Sequence, residues 1–425
     1  MRHRVELLLA AFAVFGALRP ATAQEFQPKT IQFQGDPEYS TEELLAATGL
    51  KKGVVLSYTD MQDYSKRLLG SGVFASVAFK FDGQDLIFLL VPSTSLYPIH
   101  LENLPLTAGA DLDAKLHEQL PLYHGKVPAE GGLNDDVRAA LEKMLAAEGL
   151  QASVVATTSA DLSTQLVNAV SYSITAPPVQ ISVARIDGVS DAFQSKVRTV
   201  LDEAVKNPFS TTDSASYLER IVEQFYGDLG YAAAKVQATR SGDPSLASGA
   251  IVVPFEVQVQ EGRVYKVDSI HLPPGTPVTQ AEIDKALAPS FSTLPIGVRV
   301  RSIWGLIAER EHNKGYLDCK VTPHPEFNDA DATVNYTVDV DPGPVYHLAF
   351  VKFDNVTDEL RNLLVHNWEM MPGDVFDESY VASFITKVQE QDPVLRRSLA
   401  GVKVKFNVMA NPDTHDVNVV IRLEK

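Results

Sequence analysis

One pattern recurs along residues 26–425 at a spacing of about 80 residues, and this repeat limits what the chain can fold into. Each copy begins with an apolar strand and continues with two amphipathic helices. It ends with a strand that follows a glycine, and with a strand in which apolar and polar residues alternate. Repeats of this kind form arrays of small modules that contact their neighbours. The sequence therefore predicts a tandem α+β array of β-α-α-β-β modules, an architecture more typical of binding scaffolds than of enzymes.

The third and fourth copies share two landmarks in register. After the second helix, Gly230 and Gly315 are each followed by tyrosine, and a Lys-Val pair comes soon afterwards. The motif Gly-x-Val-Tyr, starting at Gly262 and Gly343, leads into the next copy. A glycine just after the last apolar turn of a helix is typical of a left-handed C-terminal residue. Two landmarks at matching positions indicate that the copies share one fold.

The outer copies are more divergent, as terminal repeats often are. In the second copy Gly149 is followed by leucine rather than tyrosine, and in the fifth the segment QDPVLRRSLAGV replaces the landmark. We predict a signal peptide and five modules, with the following boundaries: 1–23, 27–93, 96–178, 179–262, 263–343 and 344–425.

The first residues are typical of a secretory signal peptide. Arg2 and Arg4 precede an apolar run at 7–18, and Ala21-Thr22-Ala23 supplies the small residues of a cleavage site. As a helix this run would be about 18 Å long, against a hydrocarbon core of about 30 Å, so an uncleaved anchor is disfavoured. We predict export to the periplasm, with no transmembrane segment in the mature chain.

Composition excludes several classes of function. The formal net charge of −17 argues against nucleic acid as a partner, because nucleic-acid binding needs clustered positive charge. Cys319 is the only cysteine, which excludes an intramolecular disulfide and a cysteine-based metal cluster. We predict that Cys319 is a packed or half-exposed strand residue.

Motifs for catalysis and cofactor binding are missing from the sequence. It contains no G-x-S-x-G, no H-E-x-x-H, no Walker-type loop and no dinucleotide fingerprint. The ten histidines are scattered; His312 lies near Glu309 and Glu311, where a solvated helix face is a better explanation than a metal site. We therefore predict no catalytic residue, no cofactor and no metal.

The segment GYLDCKVTPHPEF, followed by TVNYTVDVDPGPVYHLAFVKFDN, resembles the POTRA (polypeptide-transport-associated) domains of BamA-like and TamA-like outer-membrane assembly factors. The resemblance covers nearly the whole mature chain and is most specific in copies three to five. It implies that each module is a three-stranded mixed sheet with two helices on one face and the glycine-led strand at the edge. Those factors continue into a transmembrane β-barrel. The sequence stops in the last strand of the fifth copy, so we expect only the periplasmic binding role to carry over.

An exposed sheet edge can accept an extended polypeptide by β-augmentation. The glycine-led strands at 77–81, 235–238 and 319–322 are the candidate edges. The candidate contact residues on these strands are Val77, Phe79, Phe81, Val236, Ala238 and Val321. Phe79 and Phe81 would either contact a bound polypeptide or pack on their own helices.

These features predict a non-enzymatic scaffold, either free in the periplasm or peripheral at the outer membrane, that acts in outer-membrane protein assembly or protein transport. The expected partners are unfolded outer-membrane or secreted polypeptides, or an outer-membrane β-barrel protein. The alternative is a structural adaptor that spans the periplasm between folded envelope complexes.

Overall fold

The computed structural model describes residues 25–36, 38–107, 109–160, 166–288 and 294–424. The predicted signal peptide at 1–23 lies outside these residues. The described residues of Met1–Ile99 and Ala108–Ala140 form one compact unit, and those of His100–Thr107 and Leu141–Lys425 form a second. Helices and strands follow one another in five repeats, of which the second contributes to both units.

The elements of each repeat follow in chain order. The first repeat contains β1 (Thr30–Gln34), α1 (Thr41–Thr48), α2 (Tyr58–Gly70), β2 (Phe74–Asp82) and β3 (Asp85–Pro92). The second contains β4 (Leu96–Leu101), α3 (Ala110–Gln119), β5 (Lys126–Pro128), α4 (Gly132–Ala147), β6 (Ser153–Ala160) and β7 (Val167–Ala176). The third contains β8 (Val179–Asp187), α5 (Gln194–Ala204), α6 (Ser214–Asp228), β9 (Lys235–Arg240), β10 (Ser245–Ala247) and β11 (Ala250–Gln260).

The last two repeats complete the chain. The fourth contains β12 (Lys266–His271), α7 (Gln280–Leu287), α8 (Ile296–His312), β13 (Lys320–Asn328) and β14 (Thr333–Asp341). The fifth contains β15 (His347–Asp354), α9 (Asp358–His366), α10 (Glu378–Gln391), α11 (Pro393–Ser398), β16 (Lys403–Asn411) and β17 (Asp416–Glu424).

Three repeats have the same three-stranded sheet, with strand orders β1-β3-β2, β12-β14-β13 and β15-β17-β16. In each, the closing strand is central, the opening strand is parallel to it, and the glycine-led strand is antiparallel to it. In the third repeat β8 is parallel to β11, and the short β10 joins β9 on the opposite side. The predicted α+β fold with small mixed sheets is confirmed, and the glycine-led strand lies at the sheet edge in these four repeats.

The second and fifth repeats contain elements that the sequence did not predict. In the first unit, β4 pairs antiparallel with the short strand β5, which lies between two helices. In the second unit, β6 pairs antiparallel with β7. The fifth repeat has α11 where the Gly-Tyr landmark is missing, and the left-handed glycine there is Gly401, with φ of 73°.

The helices pack on the sheets through an apolar stripe with a spacing of four residues. In α6 this stripe consists of Leu218, Val222 and Tyr226, all fully buried. The sequence pattern had placed Ile221 and Phe225 on the same face, but both are only half-buried. The buried stripe is therefore narrower than predicted and includes Tyr226 in place of Ile221 and Phe225.

Cys319 lies one residue before β13 rather than within a strand, and it is half-buried. Burial raises the pKa of its thiol above the usual value, with smaller contributions from Glu311 and Asp341. Since the thiolate is the reactive form, Cys319 is a poor nucleophile at neutral pH. Its position supports a packing role.

The sequence landmarks meet at the junctions between repeats. The backbone N–H of Tyr265 donates to the carbonyl of Gly230 at 2.9 Å, and that of Tyr346 donates to Gly315 at 2.8 Å. The Gly230 and Gly315 residues have φ of 94° and 89°, in the left-handed region expected for a helix C-terminus. A Cβ added to Gly315 would lie 2.7 Å from Cγ1 of Val375 in the next repeat. The landmark residues thus end one helix and also attach the following repeat.

Helix ends make ion pairs across the same junctions. Asp228, at the end of α6, accepts from the two terminal guanidinium nitrogens of Arg301 in α8, one of them at 3.1 Å. At the next junction, Nδ1 of His312 lies 3.1 Å from the carboxylate of Glu378 in α10. His312 is therefore a contact between the fourth and fifth repeats. Among the described residues, no helix is long and apolar enough to cross a bilayer.

We expect Glu282 to make the fourth repeat sensitive to acid. Its carboxylate bonds to Arg310 and accepts from the N–H of Thr279 at 2.9 Å, and these contacts lower its pKa from 4.5 to about 2. A depressed pKa in the folded state means that the stabilisation is complete above pH 4.5 and is lost as the pH falls towards 2. In proteins that carry Trp368→Phe, so that Trp304 is the remaining tryptophan, we expect the urea midpoint followed by fluorescence to fall more steeply over this interval with Glu282 than with Glu282→Gln. Parallel pH profiles for the two proteins would contradict this assignment.

Candidate functional site: the edges of the glycine-led strands

Along an edge strand, every second residue points its backbone N–H and C=O away from the central strand. We call these outward residues, because they can pair with an added strand. In β9 the outward residues are Val236, Ala238 and Arg240, and the N–H groups of the first two already have partners on α6. Val236 donates to Oε1 of Glu223 at 3.1 Å, and Ala238 donates to Oε1 of Glu219 at 2.9 Å. Helix α6 therefore closes this edge with two carboxylates.

The second repeat covers the first donor of its edge strand in the same way. The N–H of Val154 in β6 donates to Oε1 of Glu142 in α4 at 2.9 Å. Glu142 lies seven residues before Gly149, as Glu223 lies seven residues before Gly230. A glutamate about two helical turns before the glycine landmark thus bonds to an N–H of the edge strand in two repeats.

The edge of the fourth repeat is protected from strand pairing by prolines rather than by helix carboxylates. Ala308 occupies the position that corresponds to Glu223, so α8 offers no carboxylate there. Within β13, Pro323 and Pro325 pair with β14 across the sheet. Proline has no N–H, so prolines in a paired edge strand stand where that group would face outward. Val321 is half-buried at the start of a strand whose next two outward positions are the prolines.

The first repeat presents a more open edge. The hairpin loop of Gly83 and Gln84 joins the paired residues Asp82 and Asp85, which makes Val77, Phe79 and Phe81 the outward residues of β2. Among the described residues, we find no side chain bonded to their backbone N–H groups.

The aromatic side chains of β2 pack within the first repeat. The Phe79 ring lies 5.5 Å from that of Tyr58 in α2, and the Phe81 ring lies 4.0 Å from that of Phe26. Phe79 is half-buried, whereas Phe81 keeps 41% of its surface exposed. The contact with Tyr58 supports the alternative in which Phe79 packs on its own helix, whereas Phe81 packs on Phe26, outside the helices. The backbone edge beside the two rings stays available.

Among the described strands, the longest open edge belongs to the fifth repeat, and it was not predicted from the sequence. Strand β16 contains no proline, and its outward residues, fixed by the paired residues Asn411 and Asp416, are Val404, Phe406, Val408 and Ala410. Phe406 is 44% exposed. Within the described residues, no helix carboxylate bonds to the backbone of this strand. The alternating sequence KVKFNVMAN was visible, but the missing glycine landmark concealed its equivalence to the other edges.

A groove of about 570 Å³ adjoins β16. It lies between α8 and α10, with Phe406 at the edge of the sheet, and its lining includes Ala308, Glu309, Ala382, Ser383 and Phe406. A strand added to β16 would place alternate side chains into this groove. The edge of β16 therefore places backbone hydrogen-bonding groups beside a shallow, partly apolar groove.

No protein-family model matches the chain. Among solved structures, it is similar to the POTRA3-5 segment of BamA from Haemophilus influenzae, at 17% identity over 59% of this chain and 98% of that chain, with a TM-score of 0.37. It is similar to POTRA1-3 of Omp85 from Anabaena, at 20% identity over 59% of this chain and 97% of that chain, with a TM-score of 0.20. CdiB from Escherichia coli is 13% identical over 54% of this chain and 34% of that chain, with a TM-score of 0.20. The POTRA-like fold rests on the strand order of the single repeats rather than on these superpositions.

Proposed function

We propose that the chain is an exported, non-enzymatic scaffold that binds extended polypeptides at open sheet edges during outer-membrane protein assembly or transport. The observation that carries this proposal is the edge of β16. It has four outward residues, no proline and an adjoining groove. The structural neighbours with POTRA domains favour the same class of function.

Backbone pairing suits a partner that is defined by its extended conformation rather than by its sequence. Each main-chain hydrogen bond contributes about 0.5–1.5 kcal/mol net, so a single short edge binds weakly. A second open edge at β2 would allow one long polypeptide to pair twice and gain from effective concentration. Glutamates bonded to the edge strands β6 and β9 restrict polypeptide binding to the first and fifth repeats. They also protect the second and third repeats from aggregation through their sheet edges.

The alternative function, a structural adaptor between folded complexes, is favoured by the junctions. Repeats three to five are joined by the Gly-Tyr hydrogen bonds and by the Asp228–Arg301 and His312–Glu378 pairs. An adaptor would bind a folded partner with fixed stoichiometry, whereas the scaffold binds extended peptides. Peptide binding therefore discriminates between the two functions.

The test uses the full chain and a labelled peptide of about 10 residues with the alternating sequence of an outer-membrane barrel strand. The Val408→Pro substitution removes an outward N–H of β16 without affecting the pairing to β17. We expect binding, followed by fluorescence anisotropy, to weaken by about 5- to 10-fold, because one main-chain hydrogen bond is lost and the proline ring obstructs the edge.

The matched control is Val321→Pro, which places proline at an outward position of the already blunted β13. This variant is expected to bind the peptide as the wild type does. Circular dichroism verifies that both variants remain folded. An equal loss of peptide affinity in both variants, or an unchanged affinity in Val408→Pro, would exclude β16 as the binding edge.

A further inference from the structure

Three side chains with metal-binding atoms converge in the first unit. Glu43 lies on α1, His117 lies near the end of α3, and His124 lies in the loop before β5. Oε1 of Glu43 is 3.4 Å from Nε2 of His117 and 3.1 Å from Nε2 of His124. The three potential ligand atoms all lie within 4.8 Å of one another. We propose that this cluster binds a zinc ion, which joins the first repeat to the second.

The distances between the Glu43 oxygen and the two imidazole nitrogens agree with tetrahedral coordination of zinc. Zinc binds histidine nitrogen and carboxylate oxygen at about 2.0–2.2 Å, so two ligands of a tetrahedral ion lie roughly 3.3–3.5 Å apart. The distances from Glu43 to the two imidazoles are close to this value. Small side-chain rotations would complete the triangle of ligands. A set of two histidines and one glutamate leaves a fourth position for water.

The hydrogen bonding of His117 favours a metal over a neutral imidazole pair. Nδ1 of His117 lies 2.8 Å from the carbonyl oxygen of Tyr123. A carbonyl can only accept, so Nδ1 must carry the proton. In a neutral ring the Nε2 lone pair then faces the carboxylate of Glu43, an unfavourable contact between two acceptors. Either a second proton or a metal ion removes this repulsion, and a carbonyl bonded to the distal nitrogen is the usual support for a metal-binding histidine.

The other two ligands are also held in place. Oε2 of Glu43 accepts from the N–H of Ser40 at 2.6 Å in the capping box of α1, which leaves Oε1 directed at the imidazoles. The ring of Tyr39 packs 4.6 Å from that of His124, and its hydroxyl donates to the carbonyl of Leu122 at 3.3 Å. Such support reduces the entropy that the ligands lose when a metal binds.

The accessibility of the cluster and the chemical types of its ligands agree with zinc. The side chains of Glu43, His117 and His124 are 21%, 44% and 24% exposed, so an ion can enter from solvent while the site is partly desolvated. Imidazole ligands select zinc and similar transition ions, whereas magnesium and calcium prefer sets made only of oxygen. The two histidines therefore point to an ion of the zinc class.

The test is a zinc titration of the full chain after removal of metals with EDTA, against a chromophoric competitor. We expect one equivalent of zinc to bind with a Kd of about 1 μM or tighter, and zinc to raise the unfolding temperature. Cobalt in place of zinc should give the visible absorption of a tetrahedral site. The single variants His117→Gln and His124→Gln should bind zinc about 100-fold more weakly.

His271→Gln is the matched control, because it removes an exposed imidazole from β12 and should leave zinc affinity unchanged. Circular dichroism of the metal-free proteins separates loss of the site from loss of the fold. Unchanged affinity in the two site variants would overturn the proposal. Absence of binding to the wild type below about 100 μM zinc would also overturn it. The proposal is independent of peptide binding at β16.

Discussion

Replacing Gly297 by alanine is expected to break the junction between the third and fourth repeats. Gly297 lies in the first turn of α8, and an added Cβ would stand 1.8 Å from the carbonyl oxygen of Gly227 and 2.8 Å from Cα of Asp228 in α6. These are backbone atoms, so no rotamer change relieves the clash. The helices would have to separate by roughly 1.6 Å to restore an ordinary contact of 3.4 Å.

This separation would disturb the ion pair between Asp228 and Arg301, which links the same two helices. We expect Gly297→Ala to destabilise the third and fourth repeats by about 2–3 kcal/mol, the usual cost of overpacking a contact that cannot yield. Urea unfolding measures the size of this loss in stability. Hydrogen exchange locates the effect, which should appear at the end of α6 and the start of α8.

Gly305 supplies a matched control on the same helix. A Cβ at Gly305 would meet nothing within 4 Å, so the same substitution there should stabilise α8 by about 0.5–1 kcal/mol through helix propensity. A loss of stability from the substitution at Gly297 and a gain from that at Gly305 would establish that α6 and α8 are in close contact at the junction. Similar effects at both positions would show that α6 and α8 do not approach each other through Gly297.

The repeat and its landmarks were predictable because they depend on local rules. Apolar alternation and glycine at helix ends act within a few residues, and Gly230 and Gly315 have the expected left-handed backbone. Their second role, accepting a hydrogen bond from the next repeat, involves Tyr265 and Tyr346 and required the structure. The short elements β5 and α11 were missed because elements of a few residues depend on their tertiary surroundings.

The candidate edges were predictable only in part. Pro323 and Pro325 are visible in the sequence and indicate a blunted strand. By contrast, Glu219 bonds to a strand residue 19 positions away, a contact that helical and strand periodicity do not specify. The metal-binding cluster likewise joins Glu43 to His124, 81 residues later. Contacts of this kind depend on how neighbouring elements pack, which the repeat pattern alone does not define.

The second large effect is expected from removing the carboxylates that close the edge of β9. In the double variant Glu219→Ala, Glu223→Ala, the N–H groups of Val236 and Ala238 lose their acceptors. A hydrogen bond to a charged group contributes about 1.5–3 kcal/mol, and water replaces part of this at a half-exposed edge. We therefore expect a loss of about 2–3 kcal/mol in the stability of the third repeat.

The same variant should acquire a new peptide-binding edge, because the two freed N–H groups resemble the outward donors of β16. We expect faster hydrogen exchange at Val236 and Ala238, and a second equivalent of the barrel-strand peptide bound by the full chain. Gln224→Ala, on the exposed side of the same helix, is the control and should alter neither property. If exchange at Val236 and Ala238 stayed at the wild-type rate, the carboxylates would not be what closes this edge. If exchange accelerated without a second bound peptide, an open backbone would be insufficient for binding, and the groove beside β16 would be the decisive part of the site.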